Sequence, residues 1–243
     1  MTGWRARIGF LIPPGNPTTE PEMISLTPSG VSVHFTRMVA HGVTGSLLGQ
    51  EERNLTQIAH LDDNIALLAM VKPQVIVLAH TATSYTLGQV AEQALVQRIE
   101  ATTGIRFITA FGSVIAALKH LGITRLAFGT PYNEDATLKC KNNLQVHGLE
   151  IASFGRLENV QNIYDETAER AYQLARRVDS PQAQAIFLSG VGMPTLATLG
   201  QLERDLGKPV LSSASAMMWN ALRIAQVNEP ISGYGRLLES NRI

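Results

Sequence analysis

The sequence predicts an α/β fold in which parallel sheets form two similar lobes that face one another across a cleft. Short runs rich in β-forming residues alternate with longer helical patterns along the whole chain, as in proteins built from strand–helix–strand units. Several predicted strands are nearly continuous apolar runs, such as Val75–Ala79 and Ala185–Ser189, which is typical of parallel strands covered on both faces. The same order of elements occurs in both halves of the chain.

The individual elements follow from the same patterns. Short β-rich runs predict strands at Arg7–Ile12, Val31–Phe35, Val75–Ala79, Arg106–Ala110, Arg125–Gly129, Leu149–Phe154, Ala185–Ser189 and Pro209–Leu211. Longer segments predict helices at Gly49–Val71, Thr86–Thr103, Val114–His120, Tyr132–His147, Asp165–Val178, Thr195–Leu206 and Ala214–Ala225. We expect residues 1–115 and 214–243 to form the N-terminal lobe, and residues 116–213 to form the C-terminal lobe.

Polar segments follow the strands at corresponding places in the two halves. They are Pro13–Pro17 and His80–Ser84 in the first half, and Thr130–Tyr132 and Gly190–Thr195 in the second. In open α/β sheets the carboxyl ends of the strands line the ligand crevice, so we expect these four segments to bound one cleft. Three of them lead into predicted helices, whose N-terminal N–H groups attract carboxylates.

The composition is typical of a globular protein with a substantial core. Of 243 residues, 45% are hydrophobic and 16% are charged, which excludes a disordered chain. The 20 basic and 20 acidic residues cancel, so nucleic acid is not an expected partner. No apolar run approaches the ~20 residues that span a bilayer, so we expect no membrane partner and a cytoplasmic location.

Familiar motifs for several enzyme classes are missing. The single cysteine, Cys140, excludes an intrachain disulfide and a thiolate metal cluster, and a buried, inert thiol is its expected state. The passage Gly190–Thr195 matches a dinucleotide fingerprint only in part, because the third glycine and the ribose-binding acid are absent. The sequence contains no P-loop, no H-E-x-x-H and no G-x-S-x-G.

Among the six histidines, His80 is distinguished by its position. It follows the apolar run 75–79 directly, where parallel sheets carry their catalytic groups. An imidazole at that place could move protons near neutral pH. The alternative interpretation is a structural histidine that is held by hydrogen bonds.

Several segments resemble the maleate cis-trans isomerase and arylmalonate decarboxylase branch of the Asp/Glu racemase superfamily. They are Ile8–Asn16 with Glu20–Glu22, the strand Val31–Met38, the loop Thr130–Tyr132 and, most specifically, the block Ile186–Arg223. The resemblance covers nearly the whole chain. It implies two Rossmann-like lobes related by a pseudo-twofold axis, with the active site between them. It also implies catalysis of a small carboxylic acid without metal or organic cofactor, and we expect a homodimer or homotetramer.

The resemblance assigns carboxylate-binding roles to polar side chains on three loops. Asn16 would contact a substrate carboxylate, and Tyr132 would do so through its hydroxyl. A further carboxylate-binding asparagine would be Asn159 or Asn162. We expect Tyr132 to act together with His80 in catalysis.

The resemblance also places an oxyanion pocket between the halves. Thr81 and the backbone near Ala82 would form one side, and Gly190 and Val191 would form the other. Two-base members of the superfamily carry a cysteine in each half, and decarboxylase members keep only the second. In this sequence those two positions read His80 and Gly190, so a two-thiol mechanism is not available.

Three functions are compatible with this departure. The expected one is a cofactor-independent enzyme that uses His80 as its sole acid–base group on a small (di)carboxylic acid, as a decarboxylase, another lyase or a hydrolase. The second is an isomerase that works by a non-thiol route. The third is a non-catalytic dicarboxylate-binding protein, which would return its ligand unchanged.

Overall fold

The computed structural model describes residues 2–240 and arranges their strands in two four-stranded sheets. The strands are β1 (Ala6–Ile12), β2 (Val31–Arg37), β3 (Val75–Leu78), β4 (Arg106–Thr109), β5 (Arg125–Thr130), β6 (Glu150–Arg156), β7 (Ala185–Leu188) and β8 (Val210–Ser212). The helices are α1 (Thr19–Ser25), α2 (Gln50–Ala59), α3 (Leu61–Ala69), α4 (Thr81–Thr103), α5 (Ala110–His120), α6 (Glu134–Val146), α7 (Ala168–Val178), α8 (Leu196–Leu206), α9 (Ser213–Ile224) and α10 (Arg236–Glu239). A short 3-10 helix covers Ile163–Asp165.

Both sheets are parallel and share one topology. The strand order is β2-β1-β3-β4 in the first sheet and β6-β5-β7-β8 in the second. Residues of β3 and β7 are buried throughout, which explains their continuous apolar sequences. The predicted fold class and all eight predicted strands are therefore confirmed. The repeated order of elements in the sequence corresponds to two sheets with the same topology.

The prediction of one helix over Gly49–Val71 is wrong. The helix breaks at the exposed residue His60, which has φ −101° and ψ 12°, so that α2 and α3 can pack on different neighbours. Helix α3 buries apolar residues against β1 and β2, whereas α2 lies against α4 and buries polar ones. A single straight helix could not place both of these faces on their partners.

The segment His80–Ser84 was expected to be a loop, but residues from Thr81 onward form the first turn of α4. This turn is buried, and the helix is kinked further along at Gly88, which has φ 72° and ψ 168°. The helix predicted to begin at Tyr132 starts instead at Glu134, because the side chain of Asn133 accepts the N–H of Ala136 and caps it.

Helix α9 connects the end of the second sheet to the first half of the molecule. It follows β8 directly and packs against α5, α1, β3 and β4. This packing supports placing α9 with the N-terminal lobe, although the boundary between the lobes stays a prediction. Residues 241–243 of the predicted lobe lie outside the described residues. Within residues 2–240, no helix combines the length and the apolar character needed to cross a membrane.

Glycines in the central strands allow helices to approach closely. A Cβ atom on Gly129 of β5 would lie 2.6 Å from Cγ of Leu174 on α7. On Gly9 of β1 it would lie 2.7 Å from Cδ2 of Leu68 on α3. Both leucines are buried, so neither can move away without disturbing its own packing.

We expect Gly129→Ala to lower the free energy of unfolding by about 1–3 kcal/mol, because the new methyl group overlaps Leu174. Urea unfolding of the purified variant measures this loss. Adding Leu174→Ala should make the combined loss smaller than the sum of the two single losses, since the second change removes the overlap. Additive losses would show that the contact is not the cause.

Candidate functional site

Contacts join the first and fourth of the polar segments that were predicted to bound one cleft. Asn16 donates through Nδ2 to the carbonyl oxygen of Val191 at 3.2 Å. Thr19 donates through Oγ1 to the same oxygen at 3.1 Å, and Thr18 donates to the carbonyl of Gly192 at 3.0 Å. The β1–α1 segment of the first half therefore lies directly against the segment that follows β7 of the second half.

The second and third segments meet these two in a group of buried hydroxyl side chains, which we call the hydroxyl cluster: Thr81, Tyr85, Tyr132, Ser189 and Ser213. Thr81 donates to Oγ of Ser213 at 3.0 Å, and that oxygen accepts the backbone N–H of Gly190 at 3.3 Å. The Tyr132 hydroxyl is hydrogen-bonded to the side chains of Ser189 and Thr81. The hydroxyl of Tyr85 lies 2.9 Å from Oγ of Ser189. All four polar segments thus converge between the sheets.

The tyrosines of the hydroxyl cluster remain protonated at neutral pH. Burial raises the pKa of Tyr132 above its ordinary value, and it raises that of Tyr85 well above the same value. Each phenol therefore keeps a hydrogen that it can donate. Such donors suit a carboxylate or a developing oxyanion.

His80 lies at the junction between β3 and α4. In the sequence it directly precedes Thr81 of the hydroxyl cluster. Its Nδ1 is 2.7 Å from Oγ1 of Thr83. This is the one hydrogen bond of the His80 ring within residues 2–240, and it leaves Nε2 without a partner there. Burial, and secondly the cation of Arg53, lower the pKa of His80 from 6.5 to about 4. The imidazole is consequently neutral at pH 7, and when Nδ1–H donates to Thr83, Nε2 carries a lone pair that can accept a proton.

Two cavities border the first turn of α4. A small one, of about 20 Å³, is lined by His80, Arg53, Gln57, Tyr164 and the segment 44–46, among others. Its size is close to that of a single water site. A larger cavity of about 210 Å³ lies between α2, α4 and α6 and reaches Ala82 and Tyr85.

Gly190 occupies a position that leaves no room for a side chain. Its φ of +99° lies in the region that favours glycine. A Cβ atom there would lie 2.9 Å from Cγ of Pro131 and 3.2 Å from the hydroxyl of Tyr132. Because this residue has no side chain, the hydroxyl of Tyr132 can lie close to the backbone of Gly190 within the site.

The two candidate asparagines of the second half lie in different surroundings. Asn159 is exposed and has a left-handed φ of 56°, so the structure does not bring it to the hydroxyl cluster. Asn162 donates to the carbonyl of Thr44 at 3.3 Å and accepts the N–H of Tyr164 at 2.9 Å. Of the two, Asn162 is the one that contacts residues lining the small cavity, namely Thr44 and Tyr164.

Cys140 is nearer to the site than its place in a helix suggested. Its Sγ donates to the hydroxyl of Tyr85 at 3.2 Å, so it lies behind the hydroxyl cluster. Burial raises the pKa of Cys140 to about 12, and the group is therefore a thiol at neutral pH. Among the described residues, no group of three or more His, Cys, Asp and Glu side chains is arranged to hold a metal ion.

Glu22 is a site residue whose role the sequence did not reveal. Its Oε1 accepts the backbone N–H groups of Thr195 at 2.8 Å and of Leu196 at 3.0 Å, so α1 of the first half caps α8 of the second. Its Oε2 is buried without a partner in the described part of the chain, as is Oγ1 of Thr195. Burial raises the pKa of Glu22 from 4.5 to about 7, although the two N–H groups act in the opposite direction.

Arg53 was also missed by sequence reasoning. It is buried on α2 and lines the small cavity with His80. Because charged residues surround it in the sequence, nothing in the pattern shows that this particular side chain faces inward.

Comparison with known proteins gives consistent relatives. A sequence profile of the arylmalonate decarboxylase family matches residues 8–238. The maleate isomerase of Nocardia farcinica is 28% identical over 97% of this chain and 96% of its own length. The arylmalonate decarboxylase of Bordetella bronchiseptica is 29% identical over 69% of this chain and 72% of its own length.

Solved structures agree with these sequence relationships. The Nocardia farcinica maleate cis-trans isomerase, as a cysteine-to-serine mutant with a covalently bound succinylcysteine intermediate, has a TM-score of 0.86 and 28% identity. The match covers 96% of this chain and 98% of that chain. A crystal structure of arylmalonate decarboxylase has a TM-score of 0.77 and 23% identity over 96% and 99% of the two chains, which supports the fold.

We expect Glu22→Gln to remove a pH dependence of stability. Between pH 4.5 and about 7 the unfolded chain loses the Glu22 proton while the folded protein keeps it, so the free energy of unfolding falls as pH rises through this window. The variant should be more stable than the wild type by roughly 2–3 kcal/mol at about pH 8, with little difference at about pH 4. Urea unfolding across this range measures both values.

The exposed Glu158→Gln variant is the control, and its stability should follow the wild type at every pH. A Glu22→Gln protein that is less stable than the wild type at high pH would show that the carboxylate is favoured in the folded state.

Proposed function

Because the chain belongs to the arylmalonate decarboxylase family, we propose that it is a cofactor-independent lyase or isomerase that acts on a small (di)carboxylic acid. The observation that carries this proposal is the junction at His80. A neutral imidazole there adjoins a helix N-terminus and a cluster of hydroxyl donors. The relatives, a maleate isomerase and an arylmalonate decarboxylase, support the same substrate class.

The binding step uses donors from both halves. The first backbone N–H groups of α4 have no partner within the helix, and His80 supplies no side-chain cap for them. With the hydroxyls of Thr81 and Tyr132 and the N–H of Gly190, they can surround one carboxylate. Asn16 and Val191 lie at the edge of this group, and we propose that they complete the pocket after local rearrangement.

Decarboxylation is the reaction that these groups support best. The bond between the α-carbon and one carboxyl carbon breaks, CO₂ leaves, and the electron pair remains as an enediolate on the retained carboxylate. Donors that surround the retained carboxylate stabilise this charge. A proton must then be added to the α-carbon. One acid–base group is sufficient, because His80 can take up a proton from solvent at Nε2 and then pass it to the α-carbon.

A thiol mechanism has less support. The Nocardia relative is described with a covalently bound succinylcysteine, which requires a reactive cysteine. The only cysteine of this chain, Cys140, is a buried thiol that donates to Tyr85. The resemblance assigns the family cysteines to the positions of His80 and Gly190, which lack sulfur here, and a side chain at Gly190 would overlap Pro131.

We expect His80→Ala and His80→Asn to fold and to bind a carboxylic acid, yet to lose turnover by about 10²–10⁴-fold, because neither can transfer a proton. Incubation with a panel of small mono- and dicarboxylic acids, followed by mass spectrometry of the products, identifies the substrate first. The exposed His60→Asn variant is the matched control and should keep wild-type turnover.

Near-wild-type turnover in His80→Asn would remove His80 from the chemistry. A wild-type protein that binds acids of the panel and returns all of them unchanged would instead be a binding protein.

We expect turnover to survive Cys140→Ala, iodoacetamide and a metal chelator. The reason is that Cys140 is a buried thiol with a pKa of about 12, so it does not supply a thiolate at neutral pH. Initial rates before and after each treatment measure this, with circular dichroism to show that Cys140→Ala is folded. Loss of turnover by a folded Cys140→Ala protein, or upon chelation, would contradict the proposed chemistry.

A further inference from the structure

Helix α2 buries polar side chains on the face that it turns toward the site. Arg53, Asn54 and Gln57 are all buried, and they lie within little more than one turn of the helix. A helix that packs on a protein normally buries an apolar face, so this arrangement calls for a polar partner. Arg53 and Gln57 line the small cavity that also contains His80.

Arg53 carries a buried charge without an anionic partner. Its side chain is 9% exposed, and it is the one Lys or Arg among the buried residues of 2–240. The guanidinium donates to the carbonyl of Leu48 at 2.6 Å and to that of Ser46. It forms no ion pair within the described chain, and the neighbouring acid on α2, Glu52, is exposed. A buried cation that contacts only neutral carbonyls is costly unless an anion joins it.

Some other arginines do have such a partner, whereas the half-buried Arg7 has none within residues 2–240 and donates to the carbonyl of Val71. Arg170 is paired with the buried carboxylate of Glu166 at 2.9 Å. Arg37, which lies near the β1–α1 segment, is paired with Glu20. Arg53 differs from Arg7 because it is buried, so its unpaired charge lies inside the protein.

A second feature of the same cavity points to a ligand. Oε1 of Gln57 is buried and has no hydrogen-bond partner in the part of the chain that the structure describes, and the same holds for Oδ1 of Asn54. Buried polar atoms are nearly always paired, so this pocket contains unused hydrogen-bonding capacity next to an unpaired cation. Because the two ends of a side-chain amide exchange by rotation, Gln57 can offer either an acceptor or N–H donors to an occupant.

We propose that Arg53 binds a second carboxylate of the substrate, and that it thereby makes the site selective for dicarboxylates over monocarboxylates. The proposal rests on the proposed function, which places the first carboxylate at the N-terminus of α4. His80 lies between the two positions, since it precedes Thr81 and shares a cavity with Arg53. The guanidinium fork can hold a carboxylate with two parallel hydrogen bonds.

Binding of the second carboxylate requires a change in the wall of the cavity. At about 20 Å³ the space is water-sized, so part of the segment 44–46 must move outward to admit a carboxylate. The hydrogen bond from Arg53 to Ser46 lies in this wall, and the incoming carboxylate takes its place.

Calorimetric titration of the full chain with maleate and with its monomethyl ester, at about pH 8, tests the proposal. The two probes share a shape but carry two charges and one charge. We expect Arg53→Met to weaken maleate binding by about 10- to 100-fold and to leave binding of the ester within about twofold, because only the dianion uses the guanidinium. Arg98→Met, which removes an exposed arginine paired with Asp62, is the control and should change neither affinity.

Arg53→Lys is the second variant, in case Arg53→Met does not fold. It keeps the charge but loses the fork, so we expect the ratio of maleate to ester affinity to fall, by less than in Arg53→Met. Equal weakening of both probes would show that Arg53 only holds the segment 44–49, and it would overturn the proposal. Unchanged affinities would overturn it as well while leaving the proposed function intact. If the wild type binds neither probe, the proposed function fails together with the inference.

Discussion

Very short junctions between strands and helices determine where the polar groups of this protein lie. Helix α5 begins at the residue after β4 and α9 at the residue after β8, while two residues separate β3 from α4. Because parallel strands end at one edge of a sheet, each junction turns a helix N-terminus toward the cleft. Thr109 and Ser212 cap their own helices through side-chain oxygens, but His80 supplies no such cap to α4. In the first turn of α4 the N–H of Thr83 donates to the carbonyl oxygen of His80 at 3.3 Å, so the N–H groups of Thr81 and Ala82 are the ones that remain for a ligand.

Within the hydroxyl cluster the polar groups of the cleft satisfy one another. Thr81 and Tyr85 come from the first half of the chain, whereas Tyr132, Ser189 and Ser213 follow or end strands of the second. Their mutual hydrogen bonds offset part of the cost of burying so many polar groups. A carboxylate that enters the cluster exchanges these neutral bonds for charge-assisted ones, which are stronger. This exchange requires the two halves to keep their relative positions. The hydrogen bonds of Asn16 and Glu22 to residues of the second half fix these positions across the cleft.

The sequence predicted the sheets well because buried parallel strands produce continuous apolar runs. It predicted helix boundaries less well, since the turn Thr81–Ser84 is rich in residues of low helix propensity and is stabilised by its burial. His80, Tyr132 and Gly190 could be selected from strand ends and from the family resemblance. Arg53 could not be selected in this way, because a charged residue on a polar helix is expected to face solvent unless its tertiary contacts are known.

The positions of Arg53 and His80 in one cavity link substrate charge to proton transfer. The cation of Arg53 adds to the effect of burial and holds the pKa of His80 low, so the imidazole is neutral at pH 7. A carboxylate paired with Arg53 cancels the charge that His80 experiences and adds a negative group nearby, and both changes raise the pKa of His80. The imidazole therefore gains affinity for a proton when a dicarboxylate is present and loses it when the site empties. The substrate itself would in this way generate the acid that is needed after CO₂ has left. A monocarboxylate leaves Arg53 unpaired and would not generate this acid.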